Sequence, residues 1–505
     1  MTPWTPMRVA ALLADALAQA PQHYQRGISL LQGWLPFTIQ IVAAVLLVVA
    51  IGGRSRRWRR IGVPVALVIG AAVAARAYWY ITSEGLADDP APSAVWVWIG
   101  LSGTALAVLV LGFRSARWWR RGVSVLAVAA CLLSTSVALN TWVGYFRTVQ
   151  SAWGQLTAGP LPDETDMASV QALAASGVVP PHGEVVPVDI PDTASGFHHR
   201  TELVYLPPAW FTSSPPPKLP VVMMIAGEFN TPEDWLRTGN VAQTADNFAA
   251  DHGGNTPVLV FVDSGGSFNN DTECVNGSRG NSADHLTGDV VPFVTSTFGT
   301  SSDPANWGIV GWSMGGTCAV DLTVTHPDLF SSFVDIAGDL GPIVGTKDQT
   351  IQRLFGGNAD RWADFDPTTV IDRHGPYTGV SGWFAVSTTP ANQQHGGFRP
   401  NNNQNQQNAD ATGLGGRDAG GNPDDQSEAA SSLCGLGRTE GIDCAIVASP
   451  GKHDWPFAAD TFTDSLPWLA GAIGTPDVPR IPLPSDSSSP DTTTDASQAA
   501  ATDGG

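Results

Sequence analysis

Apolar residues crowd the first third of the chain. Four stretches, at about 30–52, 61–82, 94–113 and 122–146, are nearly unbroken runs of aliphatic, small and aromatic residues. Each has the roughly 20 residues that an α-helix needs to cross a bilayer core, and a helix satisfies its own backbone in lipid. The runs are too long and too often repeated for a cleavable leader. The pattern therefore predicts an all-α transmembrane domain of four helices over 30–146, after an N-terminal segment 1–29. The loops set its orientation. "RSRRWRR" (54–60) joins the first two spans and "RSARWWRR" (114–121) the last two, whereas "SEGLADDPAPS" (83–93) is acidic. Short arginine-rich loops stay in the cytoplasm. Both ends of the domain, and everything after about residue 147, are then expected outside: a multi-pass cell-membrane protein with an extracytoplasmic C-terminal part.

The arginine loops belong to an internal repeat. A shift of 60 residues lays Gly52, Arg54, Ser55, Arg57, Trp58, Arg60, Gly62, Val63 and Val65 on Gly112, Arg114, Ser115, Arg117, Trp118, Arg120, Gly122, Val123 and Val125. The domain reads as two related hairpins. Arg76 is the clear charge inside a span, near its outer end beside Tyr78, Trp79 and Tyr80, and reads as a snorkelling side chain.

Residues 147–182 read as a linker with one short helix. From 183 the pattern changes. "EVVPVDI" and "TELVYLP" form an opening strand pair; "LPVVMMIAG", "TPVLVFVD", "NWGIVGW", "GWFAVS" and "DCAIVAS" are further strands, separated by helical stretches. Strands alternating with helices imply a mostly parallel sheet covered on both faces, with its site at the C-terminal strand ends. The expected fold class is α/β over 183–473, followed by a tail, 474–505, poor enough in apolar residues to be disordered.

One corner of this pattern carries chemistry. In "NWGIVGWSMGGTCAV" (306–320) an apolar strand ends in Gly311-Trp312-Ser313-Met314-Gly315, and a helix follows. Gly-x-Ser-x-Gly between strand and helix is a nucleophile elbow: the glycines allow a sharp corner, the serine projects above the sheet, and the next N–H lies at a helix N-terminus able to hold an oxyanion. A reactive serine needs a base and an acid, in the chain order Ser, acid, His. Of the ten histidines, His453 follows the last strand in "PGKHDWPF", while His285 and His326 look structural.

"GWSMGGTCAVDLTVTHPDLFSSFVDIAG" together with "PGKHDWPF" resembles the esterase D / antigen 85 family of α/β-hydrolases, which includes mycolyltransferases and simple serine esterases; "LPVVMMIAGEFNTPEDW" looks like its strand and oxyanion loop. The resemblance implies an α/β-hydrolase fold over 183–473, with Ser313 as nucleophile, His453 as general base, and the backbone N–H groups of Met314 and Glu228 as oxyanion donors. The acid departs from the pattern. Many members place Asp after the strand matching "GWFAVS", where this chain reads "STTPANQQHGG". The mycolyltransferase branch places a Glu in a later helix, and "NPDDQSEAASSLC" offers Glu428, with Asp425 as runner-up; the same pair also fits a helix capping box. Between them and the strand lies "NNNQNQQNADATGLGGRDAGG", expected as a flexible surface loop. At the positions of the family's sugar-binding Asp and Arg stand Ala226, Glu228 and Phe229, which argues against trehalose as acceptor.

A net charge of -20 excludes nucleic acid as a partner. Cys131 lies in a span; Cys274, Cys318, Cys434 and Cys444 lie on the outer side, where an even number suggests disulfides. Placement favours Cys274–Cys318 and Cys434–Cys444. No Cys/His spacing suggests a metal, and no cofactor is expected. The chain thus reads as a membrane-anchored extracytoplasmic serine esterase or acyltransferase acting on an ester of a lipid or cell-envelope component. The alternative is a non-catalytic envelope protein that retains the fold.

Overall fold

The computed structural model describes residues 28–52, 55–84, 91–114, 116–143, 145–146, 148–157, 161, 163–388, 423–451 and 453–486. The N-terminal segment through 27, the polar insertion within 389–422 and the tail beyond 486 lie outside the described residues.

Four helices, α1 (Trp34–Ile51), α2 (Val63–Glu84), α3 (Ser93–Gly112) and α4 (Trp118–Val143), are long and apolar enough to cross a membrane. α2 packs on α3, and α4 packs on both α1 and α3. Small residues permit the closest crossing: a Cβ at Gly70 would lie 2.0 Å from Thr104 Oγ1 on α3. Their outward faces carry exposed Val, Leu, Ile and Trp side chains, as helices facing hydrocarbon do. The two halves of the repeat do different work: Trp58 is buried and donates from Nε1 to Ile51 O, whereas Trp118 is 84% exposed.

Two helices follow instead of the single one expected, α5 (Val149–Thr157) and α6 (Met167–Ser176). The segment is more than a linker. Leu161 and Val170 are buried in the two cores of the following domain, and Glu164 bridges to Val185.

That domain is built on eight strands: β1 (Glu184–Val188), β2 (Glu202–Leu206), β3 (Val221–Ile225), β4 (Val258–Val262), β5 (Trp307–Trp312), β6 (Ser332–Ile336), β7 (Ser381–Ser387) and β8 (Asp443–Ser449). Their order in the sheet is β1-β2-β4-β3-β5-β6-β7-β8. β2 is antiparallel to both neighbours; from β4 onward every pairing is parallel. Strands β2 to β6 are buried along their whole length, as expected of a sheet covered on both faces. One core cluster lies on each face. The helices used below are α7 (Asp234–Arg237), α8 (Val241–Asp251), α9 (Met314–Thr325), α10 (Pro423–Thr439) and α11 (Trp455–Ala472). The architecture is an α/β-hydrolase fold preceded by four long apolar helices.

The start of the tail departs from expectation. Residues 474–486 are ordered against the domain: Val478 and Leu483 pack on a core, Asn255 Nδ2 donates to Asp477 Oδ2 (3.1 Å), and Arg438 donates to Asp486 Oδ1 (2.8 Å). Their few apolar residues are enough because each has a groove to fill, so composition alone overstated the disorder.

Candidate active site

The elbow at Ser313 has the geometry its glycines require. Ser313 sits between β5 and α9 with φ 58° and ψ −122°, a backbone region that non-glycine residues rarely occupy and that active sites favour. The neighbours cannot carry side chains. A Cβ at Gly311 would lie 1.6 Å from Gly315 O, and one at Gly315 would lie 2.2 Å from Ile225 O. Ser313 itself is 9% exposed.

His453 stands on the loop between β8 and α11. Its Nε2 lies 2.9 Å from Ser313 Oγ. The Trp312 ring lies against the imidazole at 4.4 Å. Ser387 Oγ donates to Gly451 O, fixing this loop to the end of β7, and Asp454 caps α11 by accepting from Phe457 N.

Among the described residues, the side chain at the other imidazole nitrogen is an amide. Gln426 Nε2 lies 3.0 Å from His453 Nδ1. Glu428 is not there: two residues further along α10, it points about 200° away around the helix and is exposed. The side chain of Asp425 lies outside the described residues. The signal for Gln426 was helix phase. Ala429, Ala430, Leu433 and Cys434 form the buried face of α10, and position 426, three and four residues earlier, continues it while 428 does not. Gln426 is an amide, so the carboxylate rule for triads does not point to it. Gln426 Oε1 is buried without a hydrogen bond. Half a turn of the amide presents this oxygen to Nδ1–H, and Nε2 then offers its lone pair to the serine hydroxyl.

The two segments expected to supply oxyanion donors both lie beside Ser313. Met314 N–H opens α9, and Gly227 lies so close that a Cβ there would be 3.1 Å from Ser313 Cβ. Glu228 follows Gly227, and its side chain lines a cavity shared with Arg200, Phe229, Asp263, Asn270 and Met314. Two clamps hold this loop. Arg200 donates to Asn230 O (2.8 Å) while paired with Asp263 (2.6 Å). Burial pushes the Asp263 carboxyl up, but the hydrogen bonds and charge of Arg200 outweigh it and hold it below its usual range. On the other side Asp234 Oδ2 accepts from Thr231 N (2.8 Å) and Asn230 Nδ2 (3.3 Å), and Asp234 Oδ1 accepts from Tyr145, just beyond α4.

The cysteines pair as Cys274–Cys318, tying the loop after β4 to α9, and Cys434–Cys444, tying α10 to β8; Cys131 is free and buried. Behind Arg200 lies a buried group, His199, Glu202 and His285, whose ligand-capable atoms lie within 4.8 Å of one another. It does not converge on a metal. The rings stack at 4.4 Å and 19°, so their in-plane lone pairs run side by side. His199 has backbone carbonyls at both nitrogens, Arg200 O (2.8 Å) and Ile190 O (2.7 Å), the environment of an imidazolium. Burial lowers its pKa, but Glu202 and these carbonyls outweigh that and raise it.

A serine on a strained strand-to-helix corner at a helix N-terminus, with a histidine after the last strand 2.9 Å away, defines a serine hydrolase of the α/β-hydrolase class. Residues 197–413 match the model of the family described as putative esterase. An uncharacterized protein of Corynebacterium glutamicum is 29% identical over 365 residues, 68% of this chain and 81% of the relative. Similar solved structures include an S-formylglutathione hydrolase from Agrobacterium tumefaciens (15% identity, 59% of this chain, 98% of that one, TM-score 0.43). MPT51 of Mycobacterium tuberculosis is similar too (17% identity, 57% and 99%, TM-score 0.34).

Proposed function

We propose that the chain is a membrane-anchored, extracytoplasmic serine esterase or acyltransferase acting on an ester of a lipid or cell-envelope component. The observation that carries the chemistry is the 2.9 Å contact between Ser313 Oγ and His453 Nε2 beside the N-terminus of α9. Ser313 Oγ attacks the ester carbonyl as its proton passes to Nε2. The oxyanion is held by the N–H groups of Met314 and Glu228. The bond to the leaving alcohol breaks, and the alcohol departs with that proton. Water or another hydroxyl then gives a proton to His453 and attacks the acyl carbonyl; the bond to Ser313 Oγ breaks, and His453 returns the proton to that oxygen. The four apolar helices support the anchor. The arginine loops at their far ends support the outward placement of the hydrolase domain.

A second reading, an envelope protein that keeps the fold without turnover, draws on the sequence after β7, "STTPANQQHGG", which carries no carboxylate where many members of the resembling family place Asp. A fluorophosphonate probe separates the two. Labelling of the full chain that disappears in Ser313→Ala supports the hydrolase; a folded chain that takes no label leaves the second reading.

A further inference from the structure

The hydrolase domain touches the helices at one edge. Tyr145, two residues past α4, donates to Asp234 in the helix that follows the oxyanion loop. Tyr80, near the outer end of α2, lies 3.3 Å from Asn269 Nδ2, in the loop that follows β4. Both loops leave the C-terminal ends of parallel strands, β3 and β4, and both line the cavity beside Met314. The edge of the sheet that carries Ser313 is therefore turned toward the ends of α2 and α4, at the level where the apolar spans stop, Ile81 and Trp142.

An exposed apolar ring sits at that level. Phe268, the residue before Asn269, is 68% exposed, and its inner side packs on Phe229 at 5.3 Å, in the wall of the cavity. Beside its neighbour Tyr80, Trp79 and Tyr78 are exposed as well, at 58% and 55%, with Arg76 over the Trp79 ring. Aromatic residues in such a belt mark the interface of a bilayer. A Phe at a loop tip one residue from that belt has hydrocarbon within reach of the same surface that the helices occupy.

We propose that the loop tip at Phe268 rests in the outer leaflet of the membrane that holds the four helices, and that Ser313 consequently takes an ester presented by that leaflet. This rests on the hydrolase reading for the chemistry, but the bilayer contact is a separate statement. An ester whose acyl chain stays in lipid reaches the cavity without crossing water, whereas a soluble ester must enter past the domain edge.

The test uses the full chain in phosphatidylcholine–phosphatidylglycerol vesicles. A nitroxide is placed on Phe268→Cys, with Ser302→Cys as control; Ser302 is exposed just before β5, at the opposite edge of the sheet. The native Cys131 is buried and the other four cysteines are paired. Expected is a label at 268 relaxed more strongly by oxygen than by a water-soluble nickel chelate, with the reverse at 302. A label at 268 that behaves like 302 overturns the proposal. So does one shielded from both relaxers, which reports a protein neighbour instead. In turnover, Phe268→Asp is expected to lower hydrolysis of a vesicle-embedded long-chain fluorogenic ester at least tenfold and to leave a water-soluble short-chain ester within twofold. An equal loss on both, or on neither, overturns the substrate claim. Absence of fluorophosphonate labelling in the wild-type chain would remove the hydrolase reading and leave the nitroxide result standing on its own.

Discussion

At the scale of single residues, the amide of Gln426, 3.0 Å from His453 Nδ1, is one group that sets how His453 acts as a base. An amide oxygen on Nδ1–H sets the tautomer that leaves Nε2 free, but it brings no full charge to stabilise the imidazolium that forms during attack. Gln426→Glu is expected to raise the rate of fluorophosphonate labelling at least tenfold, and Gln426→Ala to lower it by a similar factor. Stopped-flow labelling reads both, and an unchanged rate in Gln426→Ala would show that the amide does not hold the ring. A second residue is legible only in three dimensions. Asp335, in β6 beneath the elbow, is fully buried, and burial pushes its carboxyl up to about 7 although Gly338 N–H donates to it. Between the ordinary carboxylate value and about 7 the folded chain keeps a proton that the unfolded chain has released, so stability falls as pH rises through that window and levels off above it. Asp335→Asn lacks this loss. Its Tm is expected to exceed that of the wild type by at least about 5 °C at pH 8, with the gap closing toward pH 4, as a calorimetric pH series would read. The pairing of Ser313 with His453 was legible because a glycine-flanked corner and a post-strand histidine leave marks in sequence. Gln426 was not, because its role depends on which way α10 is turned.

At the scale of elements, the short helix α7 links the end of the long apolar helices to the loop beside Ser313. Asp234 is buried, and burial raises its carboxyl pKa against the hydrogen bonds it accepts. Its two oxygens are divided between Tyr145 on one side and Thr231 and Asn230 on the other. Through Asp234, Tyr145 thus braces the loop after β3. In the full chain, Tyr145→Phe leaves one carboxylate oxygen buried without that donor, at about 1–3 kcal/mol. Expected is a fall of about tenfold in kcat with KM within twofold, because the loop serves the oxyanion more than the bound ester. A rise in KM alone would place Tyr145 outside the oxyanion loop's support. Of the strands, β1 to β5, β7 and β8 were legible as apolar runs between turn residues. β6, "SFVDI", was hidden in the stretch after α9, where a short run with a central Asp reads poorly as a strand; its Asp is the buried Asp335.

At the scale of the whole chain, sequence composition divided the molecule well between long apolar helices and an α/β domain, since a bilayer-length apolar run is among the strongest patterns a sequence carries. It judged the flanks of the α/β domain poorly, because a segment with two or three apolar residues is disordered or docked according to whether grooves await them. Residues 161–182 and 474–486 are docked here: Leu161 and Val170 are fully within the cores, Met167, Leu173, Val478 and Leu483 pack against them, and Asp477 and Asp486 each accept a hydrogen bond from the domain. Burying even the two fully enclosed side chains contributes about 1.5–3 kcal/mol each. A soluble fragment over 161–486 should therefore unfold cooperatively, whereas one trimmed to 183–473 should melt about 10 °C lower or fail to fold, at 2–4 °C per kcal/mol. Equal melting of the two fragments would show that these flanks rest on the surface without stabilising it. The longer fragment also separates fold from function. It keeps Ser313, His453 and Gln426 but lacks Tyr145, so it should fold fully and still label with fluorophosphonate more slowly than the full chain in vesicles. That combination would show that the membrane helices, through one hydroxyl on Asp234, contribute to the oxyanion loop as well as to location.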